Sequence, residues 1–212
     1  MSWFRCHYVL FVNLMLSLFI LLSIIAPVFM HIGWEGLGKL TYWTYGKFCH
    51  QLAYRSFFIF GEQAYYPKDL SDSSHQSLDY QEVFGYPAED VHLARSVLGS
   101  TRAGYKIALC QRDLALYCAF LVFGILFALS NKKIKPLPIW VWIVIGVLPI
   151  ALDGLTQLGV FTLNPPGFIS VRESSPALRV ITGGLFGTLS AWVIFPLNEK
   201  ILYKDKGINK EV

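Results

Sequence analysis

Residues 8–30 read YVLFVNLMLSLFILLSIIAPVFM, an apolar stretch interrupted only by small polar residues and one proline. At about 1.5 Å per residue, a helix of this length crosses a hydrocarbon core of about 30 Å. The apolar part of a cleaved secretory signal is shorter, about 7 to 15 residues. The stretch therefore predicts a retained transmembrane helix, and it places the chain among membrane proteins.

The composition of the whole chain supports this class. The 212 residues are 54% hydrophobic and 15% charged, and the mean hydropathy is +0.47, whereas an average soluble domain is about 25% charged. The net charge of +4 is small and scattered, which argues against a nucleic-acid partner. Four cysteines in a chain of this size do not predict a disulfide scaffold. The expected partner is the lipid bilayer.

Three further apolar stretches follow the first one. Together they predict an all-α, polytopic helical membrane protein with spans over residues 8–30, 110–130, 138–158 and 177–197. Residues 34–62 are rich in aromatic residues but interrupted by charges, which favours an interfacial or partly inserted amphipathic segment. Residues 63–106 are polar and predict an outer loop, and residues 198–212 predict a cytoplasmic tail.

Lysines in the short connections predict the orientation in the cell membrane. Short loops rich in Lys and Arg stay in the cytoplasm, and such residues lie between spans 2 and 3 and in the tail: Lys132, Lys133, Lys135, Lys200, Lys204, Lys206 and Lys210. We therefore expect both termini in the cytoplasm and residues 31–109 and 159–177 outside. Gly183 and Gly187 have the spacing that lets membrane helices approach closely, which also allows a homo-oligomer through this face.

This topology brings polar residues from four segments to the outer boundary of the membrane. Ionisable residues at that depth usually face a bundle interior or a water-filled cavity. The residues are Cys49, His50, Gln51 and Arg55 before span 2, Cys110, Arg112 and Asp113 at its start, Asp153 and Gln157 at the end of span 3, and Arg179 at the start of span 4. We expect them to form one polar site at the outer face.

The residue types in this site indicate two kinds of chemistry. Thiolate, imidazole and carboxylate groups bind divalent metals such as zinc, and the candidate ligands are Cys49, His50, Cys110, Asp113 and Asp153. Acid–base roles fall to His50, Asp113 and Asp153, with Gln51 and Gln157 beside them. Arg55, Arg112 and Arg179 are candidate anion-binding residues, because guanidinium binds phosphate in a bidentate fashion. The anion would be a small ion or an anionic lipid head group.

Simpler roles remain open for the same residues. Arg112 and Arg179 can extend their charges to the interface, and Asp153 can be a paired buried carboxylate. His50 can hydrogen-bond a carbonyl and nothing more. Cys49 and Cys110 share the outer side, where a disulfide is chemically allowed.

Four motifs resemble one family of predicted membrane proteins. They are CHQLAYRSFFIFG at 49–61, GYKIALCQRDLALY at 104–117, PIALDGLTQ at 149–157 and SPALRVITGGLFG at 175–187. They are similar to the domain of unknown function 2085, and this resemblance implies a multi-pass topology but no established reaction. Many members of that family read C-x-R-C where this chain has Asp113 in place of the second cysteine. A carboxylate can replace a thiolate as a metal ligand, although it is a harder one.

The sequence leaves three functions open. The first is a membrane enzyme with its site at the outer face, acting on an anionic or lipid substrate. The second is a scaffold whose polar cluster only fixes helix packing. The third is a small transporter or permease component, against which stand the small number of spans and the lack of an inverted repeat.

Overall fold

The computed structural model describes residues 2–68, 78–157 and 173–204. Within these ranges, four helices are long and apolar enough to cross a membrane, which confirms the predicted fold class. Span 1 is Ser2–His31, span 2 is Gln111–Leu129, span 3 is Ile139–Gln157 and span 4 is Pro176–Lys204. Parts of the predicted outer loops and of the tail, at 69–77, 158–172 and 205–212, lie outside the described residues.

Apolar side chains on the outside of these helices face lipid. Leu14 in span 1 is 61% exposed and Leu129 in span 2 is 74% exposed. Exposing such apolar surfaces to water would cost free energy, whereas lipid acyl chains cover them without that cost. Span 3 contains a π-helical stretch, Trp142–Val147, and the Trp142 indole donates a hydrogen bond to Ser190 Oγ on span 4 (3.0 Å).

Spans 2 and 4 form the closest helix pair of the bundle. A Cβ atom at Gly183 would collide with the Arg112 carbonyl, and one at Gly187 would collide with the Leu116 carbonyl. The small-residue spacing therefore serves packing within one chain. Span 2 covers the glycine surface through which we expected a homo-oligomer. We therefore propose no oligomer through this surface.

The aromatic segment at 34–62 is helical only in its first part. Helix Glu35–Tyr45 turns back along span 1, and the Tyr45 hydroxyl donates to the Phe19 carbonyl, roughly 18 Å before the end of span 1 at about 1.5 Å per residue. Its outer side exposes Leu40 and Trp43, as in a partly inserted helix. The remainder differs from the prediction, because it forms a short 3-10 turn, Ala53–Arg55, followed by a strand.

The structure contains a small antiparallel sheet that the sequence analysis did not predict. Strand β1 is Ser56–Ile59, β2 is Gly99–Ser100 and β3 is Gly104–Cys110, in the order β1-β3-β2. Strand β3 packs against span 1. Backbone that is not helical is tolerated at membrane depth only where protein covers it and its polar groups are paired. The central position of β3 meets both conditions.

The described residues between β1 and β3, at 60–68 and 78–103, form a folded cap. Two short helices, Tyr80–Phe84 and Val91–Ser96, begin at Asp79 and Asp90, whose side chains accept hydrogen bonds from backbone N–H groups of the first turn. Beneath them lies an aromatic core of buried residues that includes Tyr54, Phe58, Tyr66 and Tyr80. The cap anchors β1 and hence the stretch that precedes it.

Candidate functional site

A cavity of about 220 Å³ opens where spans 2 and 4 begin. It contains every residue of the predicted site except Asp153. The lining residues are Phe48, Cys49, His50, Gln51, Leu52, Arg55, Cys110, Arg112, Asp113, Gln157 and Arg179. The structure thus brings together side chains from four separate stretches of the chain.

Gln51 fixes the shape of the CHQ stretch. Its backbone has a φ of 54°, a left-handed conformation that is uncommon for residues other than glycine. The side-chain amide donates to the Tyr42 carbonyl (3.0 Å) and to the Ala108 carbonyl of β3 (2.9 Å). Two hydrogen bonds from one buried amide thus hold the turn against strand β3. The geometry gives Gln51 a positioning role, whereas the sequence suggested a role beside the acid–base residues.

A fully buried lysine supports the same turn from the other side. Lys106 is 0% exposed, and its Nζ donates to the Gln51 carbonyl (2.6 Å) and to the Arg95 carbonyl (2.8 Å). Burial lowers the pKa of the Lys106 amine to about 7, because the charged form loses its hydration. Sequence analysis missed this residue.

Cys49, Cys110 and Asp113 form the tightest group of potential metal ligands. Their two sulfurs and one carboxylate oxygen lie within 4.8 Å of one another. The Cys110 backbone N–H donates to Cys49 Sγ (3.3 Å). Cys110 is the N-cap of span 2 and Asp113 lies in its first turn, where the helix dipole stabilises negative charge. A separate side-chain hydrogen bond with the Cys49 sulfur, together with burial, raises the pKa of the Cys110 thiol. Both cysteines are free thiols.

Two of the five predicted metal ligands lie apart from this group. His50 is exposed and lines the cavity, but it is not one of the three clustered ligands. Asp153 is buried and forms an ion pair with Arg112, so it serves as the counter-ion of an arginine. Gln157 donates to the Asp153 carbonyl in its own helix (2.8 Å).

Each of the three predicted anion-binding arginines contacts a carboxylate. Arg112 pairs with Asp153. Arg55 donates through Nε and one terminal nitrogen to both oxygens of Glu173 (2.7 and 2.8 Å), and Arg179 pairs with the same carboxylate. Arg179 also donates to Gln111 Oε1 (3.0 Å). Neither Glu173 nor Gln111 was predicted; the only signal for Glu173 was an isolated acid shortly before span 4.

Part of the chain is similar to a described family of membrane proteins. Residues 100–193 match the model of a family described as Predicted membrane protein (DUF2085). This confirms the predicted resemblance. The chain is also similar to "Uncharacterized protein MJ1492" of Methanocaldococcus jannaschii, with 27% identity over 205 residues that cover 93% of this chain and 96% of that protein. No solved structure matches.

The DUF2085 match covers five of the eleven residues that line the cavity, namely Cys110, Arg112, Asp113, Gln157 and Arg179. Asp153, the partner of Arg112, also lies inside residues 100–193. Cys49, His50 and Arg55 lie before the matched range, although the similarity to the archaeal protein extends over nearly the whole chain. The group of potential metal ligands therefore combines Cys110 and Asp113 of the matched range with Cys49 of the preceding segment.

Proposed function

We propose that this membrane protein is an enzyme that holds a divalent metal in the cavity and acts on an anionic or lipid substrate at the outer membrane face. One observation carries the proposal. Cys49, Cys110 and Asp113 present three potential metal ligands within 4.8 Å of one another, in a cavity that Arg55 and Arg179 also line.

The number of ligands favours a catalytic metal over a structural one. Structural zinc is bound by four protein ligands, whereas catalytic zinc keeps three and leaves one position for water or substrate. A metal in such a site supplies an activated water or polarises a substrate oxygen. His50 lines the same cavity and is the candidate acid–base group. Metal binding displaces the protons of both thiols, so affinity rises with pH.

The charges around the cluster are compatible with a cation. Three arginines line the cavity and would repel a metal if they were unpaired. Asp153 neutralises Arg112, and Glu173 contacts both Arg55 and Arg179. Because the two charges of an ion pair are opposite and close together, their fields largely cancel at groups beyond the nearest neighbours. The positive charge left over lies with the Arg55–Glu173–Arg179 group, where an anionic substrate is favoured.

Metal content per chain tests the proposal. We expect about one zinc-class ion in the parent protein purified without chelator, and loss of that ion in Cys49→Ala, Cys110→Ala and Asp113→Ala. Cys118→Ala is the matched control, because Cys118 is a free thiol of span 2 that does not line the cavity. His50→Ala should retain the metal. A parent protein with no stoichiometric metal would exclude the metal-dependent enzyme.

A purely structural role is the second candidate, and one observation favours it. Most polar groups of the site already have partners within the chain, such as Arg112 with Asp153 and the Gln51 amide with two carbonyls. If packing is their only role, substitutions in the cluster will lower thermal stability without changing metal or anion binding. Such a result in Asp113→Ala, which contributes no side-chain ion pair among the described residues, would favour the scaffold.

A further inference from the structure

Glu173 occupies the position that an external anion would take between two arginines. Arg55, from the turn before β1, and Arg179, from span 4, both direct a guanidinium at this one carboxylate. Arg55 binds it in the bidentate fashion that guanidinium also uses with phosphate. The two arginines come from distant parts of the chain, and Glu173 is the described group that joins them.

One carboxylate does not satisfy this pair of arginines. Three N–H groups share its two oxygens, and Oε1 accepts from both guanidiniums. The Arg179 Nε is buried and makes no hydrogen bond within the described residues. A single negative charge also leaves one of the two positive charges uncompensated. A phosphate monoester carries three terminal oxygens and up to two negative charges, so it matches both the donors and the charge better.

The groups differ in how readily they can leave the site. The Arg179 side chain is 3% exposed, and its guanidinium also donates to the Tyr54 carbonyl and to Gln111. The Glu173 side chain is 17% exposed and precedes the first residue of span 4. Arg179 is thus fixed by several partners within the protein, and Arg55 lies over the Tyr54 ring, whereas Glu173 contacts both arginines from the residues just before span 4.

We infer that Arg55 and Arg179 form the binding site for the phosphate group of the substrate, and that Glu173 is an internal substitute which the phosphate displaces. The inference rests on the proposed function, since it assigns the substrate class of the same cavity. The phosphate belongs either to a lipid head group or to a free phosphate compound. Removing Glu173 should then strengthen phosphate binding, although it removes two ion pairs.

Phosphate binding to metal-free protein in detergent tests this assignment separately from the metal. We expect Glu173→Ala to bind inorganic phosphate about tenfold more tightly than the parent, because an intramolecular competitor at millimolar effective concentration is gone. Glu62→Ala is the matched control: Glu62 also pairs with an arginine, Arg102, but both side chains are exposed. Adding Arg55→Ala to Glu173→Ala should abolish the gain.

A second variant and a second readout keep the test decisive. Glu173→Gln preserves the shape of the side chain, and its unfolding temperature should rise with phosphate more than that of the parent or of Glu62→Ala. Reconstitution into nanodiscs of phosphatidylcholine with or without phosphatidic acid distinguishes the two phosphate sources. A rise in the unfolding temperature of Glu173→Gln with phosphatidic acid that exceeds the rise in the parent indicates a lipid head group, and a gain with inorganic phosphate alone indicates a free compound. Unchanged affinity in both Glu173 variants would overturn the inference while leaving the metal result intact.

Discussion

Replacement of Lys106 by methionine should remove a pH dependence from the stability of this protein. The amine is fully buried between the carbonyls of Gln51 and Arg95, and burial lowers its pKa from 10.5 to about 7. Between these two values the unfolded chain holds a proton on Lys106 that the folded chain has released. Stability therefore rises with pH across this window.

The size of the effect follows from the pKa. One pH unit fully inside the window corresponds to about 1.4 kcal/mol in the free energy of unfolding. From about pH 7 to about pH 8.5 the gain is about 1.6 kcal/mol, since the amine is only half deprotonated at the start. For a chain of this length that equals an increase of about 3 to 6 °C in Tm.

Tryptophan fluorescence during heating, in one detergent and at one scan rate, measures this difference. The parent should gain stability toward pH 8.5 and Lys106→Met should lack that gain, so the curves of the two proteins diverge with pH. Lys39→Met is the control, because the Lys39 side chain is 60% exposed, and it should follow the parent. Only the difference between the curves is interpreted, since the parent and each variant differ at a single lysine. Parallel curves for parent and Lys106→Met would refute the buried-amine reasoning.

Three further outcomes are expected. Gly187→Ala should lower the free energy of unfolding by about 1 to 3 kcal/mol, because the added Cβ overpacks against the Leu116 carbonyl. Gly184→Ala should leave it unchanged, because a Cβ there meets nothing within 4 Å. Equal Tm values for the two variants would contradict the glycine packing. Arg112→Ala should lower the free energy of unfolding by about 3 to 5 kcal/mol, because it leaves the buried Asp153 unpaired. Adding Asp153→Asn should restore part of that loss, and a double variant no more stable than Arg112→Ala would argue against the pair. A reporter active only in the cytoplasm, fused after Val212, should be active, and one active only outside, inserted after Gln76, should also be active; silence of both means an inverted orientation.

The four long apolar helices were predictable from the sequence because such helices are encoded locally. Length and hydropathy alone distinguish residues 8–30 from any soluble element. The convergence of Cys49, Cys110 and Arg179 also followed from topology, since each flanks the same predicted boundary. These features need no knowledge of how side chains pack.

Features that depend on pairing between distant residues were not predictable. Strand β3 is Gly104–Cys110, and in the sequence it looks like an apolar extension of span 2. Its partner strand β1 lies more than forty residues earlier. Lys106 looks like an ordinary charge until that sheet buries it. Asp153 was predicted as a metal ligand, but its carboxylate pairs with Arg112. Which side chain contacts Asp153 depends on how spans 2 and 3 are rotated about their own axes, and the sequence does not show this.

Arg112 joins three spans, and this has a consequence for how the protein is made. Its carbonyl packs on Gly183 of span 4 and its guanidinium pairs with Asp153 of span 3. The ribosome completes span 2 while the aspartate, 41 residues further on, is still untranslated. A nascent chain at that stage carries an uncompensated arginine at the edge of the bilayer, and insertion of span 3 neutralises it. Chains truncated before span 3 should therefore be poor substrates for stable insertion and good substrates for membrane proteases.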